Sequence, residues 1–117
     1  MGCHLLPVLW GIFDFDGNPG FSPELIEHGL PGIWRYRHTF GLPGGAPIVT
    51  LGEGNTALVW ANIHGISVAF KCEYMNPSGS FKDRGSAVLM SRLLARGISE
   101  VVEDSSGNAG ASLAAYA

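Results

Sequence analysis

The chain has 117 residues, 46% hydrophobic and only 15% charged, with 17 glycines and 7 prolines. That is enough for one domain at most, and a charged fraction well under the roughly 25% usual for soluble domains leaves little charge to cover a surface. Ten acidic against seven basic residues give a net charge of −3, with no basic residue before Arg35, so there is no cationic patch for a phosphate backbone and nucleic acid is not an expected partner.

Cys3 and Cys72 lie far apart and neither belongs to a C-x-x-C pair, which argues against a disulfide framework or a zinc ribbon. His4, His28, His38 and His64 are scattered without ligand spacing, so no metal is expected. Residues 1–13 are apolar but lack a basic leading region and are too short to span a bilayer. Leu6 stands where a myristoylation pattern requires Ser or Thr. The expectation is a cytoplasmic protein with no membrane partner.

Prolines at 7, 19, 23, 31 and 43 make residues 1–46 read as an irregular arm, with Pro47 directly after it. Within it, Ser22 followed by Pro23, Glu24 and Leu25 predicts a short helix with Ser22 as cap, ended by His28 to Gly32. The segment Ile33-Trp34-Arg35-Tyr36-Arg37 alternates bulky apolar and cationic residues, as a strand or an extended surface segment would. Residues 47–117 read as a partial α/β domain.

From Ile66 the period is two: Ile66, Val68, Phe70 and Cys72 share one face, and Ser67, Ala69, Lys71 and Glu73 the other, predicting a strand over 66–73. Asn76-Pro77-Ser78-Gly79-Ser80 has turn composition. A helix is predicted over 81–96, with Arg84, Ser91, Arg92 and Arg96 as a narrow polar stripe and Gly97 as terminator. A second strand is expected over 99–104, then a tight Ser105-Ser106-Gly107-Asn108 loop and a helix from Ala109 to Ala117. Strand, helix, strand, helix is a βαβα unit, which implies a right-handed crossover into a parallel sheet. Two such strands cannot be covered on both faces by these helices, so the sequence reads as the opening portion of a larger, truncated α/β protein.

Lys82 opens the predicted helix directly after the Ser-Gly-Ser-Phe loop, beside Arg84. The positive helix end, a neighbouring cation and apolar surroundings all disfavour an ammonium, and a neutral amine is what carbonyl condensation requires. Lys71, the other lysine, sits next to Glu73, where a surface ion pair is expected. The loop 105–108 follows a strand and opens a helix, so its N–H groups and hydroxyls suit a carboxylate or phosphate. In a parallel sheet both loops would leave the same edge, placing Lys82 and Asn108 on one crevice.

Asn76-Pro77-Ser78-Gly79-Ser80-Phe81-Lys82-Asp83-Arg84-Gly85 and Ser105-Ser106-Gly107-Asn108-Ala109-Gly110 resemble the signature of the threonine synthase family, one of the pyridoxal-phosphate enzymes of fold type II, which also include tryptophan synthase β. Trp34 to Arg37 and Leu51-Gly52-Glu53-Gly54-Asn55-Thr56 resemble that family's N-terminal segments. A dehydratase would show His, and a cysteine synthase Thr, where this loop has Ala109. Ala57 and Ser78 depart from the family's usual Pro and Thr. The resemblance implies that Lys82 forms the internal aldimine with pyridoxal 5′-phosphate and that Asn108 bonds the cofactor's phenolic oxygen. It also implies that Phe81 packs the site and that Ser105, Ser106, Gly107 and Ala109 hold the substrate carboxylate. The implied reaction converts O-phosphohomoserine and water to threonine and phosphate, in threonine biosynthesis, by a full-length enzyme that is a homodimer; the 117-residue chain alone is expected to be inactive. A dehydratase-like or cysteine-synthase-like lyase, or a non-catalytic fragment, is the alternative.

Overall fold

The computed structural model describes residues 22–117, so the expectations for Cys3, His4 and the apolar segment 1–13 lie outside the described residues. Pro23–Leu25 forms a single 3-10 turn that ends at Ile26, and Ser22 contributes its carbonyl to Leu25 N–H but no side-chain cap. Gly32–Thr39 is a 3-10 helix kinked at Tyr36, which corrects the expectation of a strand or extended segment over 33–37. The helical turn carries Ile33 and Trp34 together into the interior, where both are buried, whereas a period of two would have separated them onto opposite faces.

Strand β1 (Leu58–Ile63) and strand β2 (Ile66–Lys71) form an antiparallel hairpin, with Ile63 paired to Ile66 and Leu58 to Lys71. The two-residue connection, His64 and Gly65, has positive φ at both positions, 52° and 84°, the backbone that matches the twist of a hairpin. Asn62 Oδ1 accepts the Gly65 N–H at 2.9 Å and closes the turn. The predicted strand over 66–73 is thus β2, shortened: Cys72 turns inward and Glu73–Met75 begins a 3-10 turn.

Helix α1 (Lys82–Ala95) and helix α2 (Asn108–Tyr116) pack on each other. Helix α1 ends as the sequence implies, with Gly97 at φ 71°, Ile98 N–H bonding Leu93 O and Gly97 N–H bonding Leu94 O, a Schellman closure. Its buried stripe differs from the prediction: Asp83, Ala87 and Ser91, one turn apart, are the fully enclosed residues. Ser91, expected in the polar stripe, is buried because its hydroxyl donates to Ala87 O at 2.7 Å and accepts Val49 N–H at 2.9 Å.

Residues 99–104 form no strand, and Val102 is 92% exposed. This corrects the parallel βαβα arrangement. The sheet of the described residues is the local hairpin of β1 and β2, and neither strand pairs with the segment 99–104. The core lies instead between α1, α2 and the arm: Ile33, Trp34, Ala87 and Tyr116 form its centre, flanked by Leu30, Phe40, Ile48 and Val88. Trp34 and Phe40 meet edge to face, with ring centroids 5.8 Å apart.

Candidate active site

Lys82 is the first residue of α1 and its side chain is exposed. Ser80 lies one position outside the cap, where its hydroxyl oxygen accepts the Lys82 N–H at 3.3 Å. Phe81, itself 57% exposed, places its ring under the amine, with Lys82 Nζ 4.8 Å from the ring centroid. Among the described residues Glu27 pairs with Arg37 and Glu73 with Arg84, and His38 Nε2 lies 2.7 Å from Glu27 Oε1, leaving the Lys82 amine without a carboxylate partner there.

Lys71 is held differently from expectation. Its ammonium donates to the Thr56 carbonyl, because the Glu73 carboxylate beside it is already taken. Arg84 grips Glu73 with two bonds of 2.7 and 2.8 Å, and Thr56 and Asn76 donate to the same carboxylate. These donors, Arg84 foremost, bring the Glu73 carboxyl down from 4.5 to about 2 against the opposing effect of burial, and Glu73 raises the Arg84 guanidinium in turn. Arg84, invoked from sequence as a cation neighbouring Lys82, is therefore a clamp that ties α1 to residues 56 and 73–76.

Lys82, Gly85, Leu89 and Arg92, spaced at helical intervals along α1, line a cavity of about 500 Å³ whose far wall is Ala109 and Leu113 of α2, with Glu103 at its rim. Ala109, from the second loop motif, thus shares a cavity with Lys82. Ser105 and Glu103 border a neighbouring cavity of about 350 Å³, together with Gly110. Ser106, Gly107 and Asn108 are exposed and line neither cavity. In the loop, Glu103 Oε1 accepts the Ser105 N–H and Ser105 Oγ accepts the Gly107 N–H, each at 3.2 Å. The candidate crevice accordingly lies between two helices, not at the edge of a parallel sheet.

Two buried carboxylates underlie this arrangement, and the sequence reading gave neither a role. Glu53 is fully enclosed and accepts bonds from Trp34 Nε1 (2.6 Å), Thr50 Oγ1 (3.0 and 3.1 Å), Leu51 N–H (3.1 Å) and Tyr116 OH (2.7 Å). Burial first, and Glu53 second, push the Tyr116 hydroxyl well above its usual value of 10, so it stays a donor. Asp83, also fully enclosed, accepts Ser78 N–H at 2.7 Å, the Ser78 hydroxyl, and the Ser112 hydroxyl at 2.6 Å. The available signal for Asp83 was its place at i, i+4, i+8 with Ala87 and Ser91, a stripe of short side chains.

A primary amine on an open cavity, apolar walls from Val88, Leu89 and Leu113, and the Arg92 cation at the same cavity are a donor set that fits a small aldehyde cofactor with an anionic group. The cavity volume is also within the range of roughly 300–1,000 Å³ usual for small-molecule sites. Sequence comparison agrees: residues 49–117 match the pyridoxal-phosphate dependent enzyme family, and the chain belongs to that family, whose cofactor is pyridoxal phosphate. Similar curated relatives include threonine synthases. That of Methanocaldococcus jannaschii is 40% identical over 97% of this chain and 30% of its own length. That of Mycobacterium tuberculosis strain H37Rv is 47% identical over 81% of this chain and 28% of its own, and that of Synechocystis is 39% identical over 73% and 24%. The resemblance read from the two loops is thus borne out, while the chain spans about a third or less of the length of these relatives. No solved structure gives a significant match. Among the described residues, no helix is long and apolar enough to cross a membrane.

Proposed function

We propose that these residues carry the cofactor-holding lysine of a threonine synthase, an enzyme that converts O-phosphohomoserine and water to threonine and phosphate. The observation that supports this most directly is the cavity that Lys82, without a carboxylate partner among the described residues, lines together with Ala109 of the second motif. Pyridoxal phosphate, when bound, supplies an electron sink for carbanion chemistry. The chain's own residues do the rest. Lys82 Nζ holds the cofactor and, once released, moves protons at its nitrogen between substrate carbons. Phe81 packs beneath that nitrogen, and Val88, Leu89 and Leu113 give the cavity an apolar wall.

Ser105, Ser106, Gly107 and Ala109 are the proposed seat of the substrate carboxylate, with Asn108 as a cofactor ligand. For them to act, the Ser105 N–H must exchange the Glu103 carboxylate for that of the substrate, which has the same charge and geometry.

The test is to incubate the chain with pyridoxal phosphate, reduce with borohydride, and locate the fixed cofactor by peptide mass. Label concentrated on Lys82 over Lys71 is the expected result; equal labelling sinks the assignment. Phosphate release from O-phosphohomoserine, measured on a polypeptide that joins these residues to the remainder of a relative's length, separates threonine synthase from a lyase that deaminates serine or threonine.

A further inference from the structure

Lys82 and Asp83 are adjacent in sequence and opposite in environment: the first is exposed on the cavity, the second fully enclosed. A step of one residue along a helix turns the side chain by about 100°, so whatever fixes Asp83 fixes the direction of Lys82. Three groups fix it. Ser78 belongs to the loop before Lys82 and gives both its N–H and its hydroxyl to the carboxylate. Ser112 belongs to α2, one turn after Asn108, and its hydroxyl lies 2.6 Å from Asp83 Oδ1 and 2.8 Å from Ser86 Oγ. Asp83 therefore joins, through one carboxylate, the loop that presents the amine and the helix that carries the second motif.

We propose that Asp83 is a positioning residue for the cofactor lysine: its bond to Ser112 sets α2 against α1 so that Lys82 and Ala109 face one cavity. This rests on Lys82 being the residue that holds the cofactor. The role belongs to the geometry, not to the charge. Oδ2 faces a fixed N–H, whereas Oδ1 faces two hydroxyls that rotate. An asparagine, with its oxygen toward Ser78 N–H and its NH₂ toward the hydroxyl oxygens, keeps every bond. Ser112→Ala removes the link to α2 and leaves Asp83 bonded to Ser78.

The readout is the ratio of borohydride-fixed pyridoxal phosphate on Lys82 to that on Lys71, measured on the full chain well below each variant's melting temperature. Ser112→Ala and Asp83→Ala are expected to lower the ratio about tenfold, since small misplacements of a reacting group cost up to about a hundredfold. Asp83→Asn should stay within about twofold of the unsubstituted chain, because its bonds are retained. Ser91→Ala controls for general softening: Ser91 is equally enclosed on the same helix, but its hydroxyl bonds Val49 and Ala87 and no group of α2. The proposal is overturned if Ser112→Ala keeps the ratio, if Ser91→Ala loses it to the same degree, or if Asp83→Asn loses it. Where the unsubstituted chain labels both lysines equally, the assignment of Lys82 itself falls, and the proposal with it.

Discussion

Tyr116→Phe isolates the bond that ties the end of α2 to the segment around Glu53. The ring remains in the core with Trp34 and Ile33, and only the hydroxyl 2.7 Å from Glu53 Oε2 is lost. A hydrogen bond to a buried charged group contributes about 1.5–3 kcal/mol. The carboxylate keeps its donors from Trp34, Thr50 and Leu51, which puts the loss at about 2 kcal/mol. For a domain of this size that is a fall of roughly 10 °C in melting temperature, measurable by urea or thermal unfolding monitored by circular dichroism. Glu53→Gln serves as the companion variant. Trp34 Nε1–H approaches Oε1 and Leu51 N–H approaches Oε2, and neither donor can rotate away. Whichever way the amide is turned, its NH₂ meets a fixed donor, at a cost of about 1–3 kcal/mol. Val102→Ala, at a 92% exposed position, should change stability by less than about 0.5 kcal/mol. If Tyr116→Phe is as silent as Val102→Ala, the Glu53 carboxylate does not hold α2 and the reasoning fails.

Stability should also fall in acid through Glu73. Its carboxyl is lower in the folded chain, about 2 against 4.5, so the unfolded chain binds the proton more tightly; the contribution is complete above about pH 4.5 and disappears as the pH approaches 2. The full shift corresponds to about 3 kcal/mol, which solvent screening at a carboxylate whose side chain is 25% exposed reduces to about 1 kcal/mol; Arg84→Ala should flatten this limb in an acid titration of unfolding. At the other extreme, Tyr116 is raised above 10, so its stabilisation is present below pH 10 and lost above it, and Tyr116→Phe should lack that alkaline loss. Gly110→Ala places a Cβ 2.4 Å from the Ser105 carbonyl oxygen, a backbone clash that must push the 105–107 loop away from α2. A loss of about 1–3 kcal/mol in unfolding is expected, and an unchanged midpoint would show that the loop yields freely. Lys82→Ala should abolish the cofactor's imine absorbance in the reconstituted enzyme while Lys71→Ala leaves it, and retention in the first variant would move the chemistry to another residue.

The local elements were legible in the sequence because short-range chemistry fixes them. Gly97 ends α1 where a left-handed residue is needed, period-two alternation gives β2, and the small, Ala-rich run after Asn108 gives α2. The partner strand β1 went unread although His64-Gly65, flanked by apolar residues, is a two-residue hairpin connection. The turn before α1 was legible as well, from the Asn, Pro, Ser and Gly composition of residues 76–80. What tertiary structure alone decided is pairing and burial. Residues 99–104 have strand composition, but a strand exists only where another backbone completes its hydrogen bonds, and among the described residues the strand ladder joins β1 to β2 alone. Charge in the sequence likewise says nothing of enclosure: Glu53 and Asp83, given no role from the sequence, are both fully buried. A carboxylate is stable inside when distant donors such as Tyr116 and Ser112 converge on it, and that convergence is made by the packing of α2.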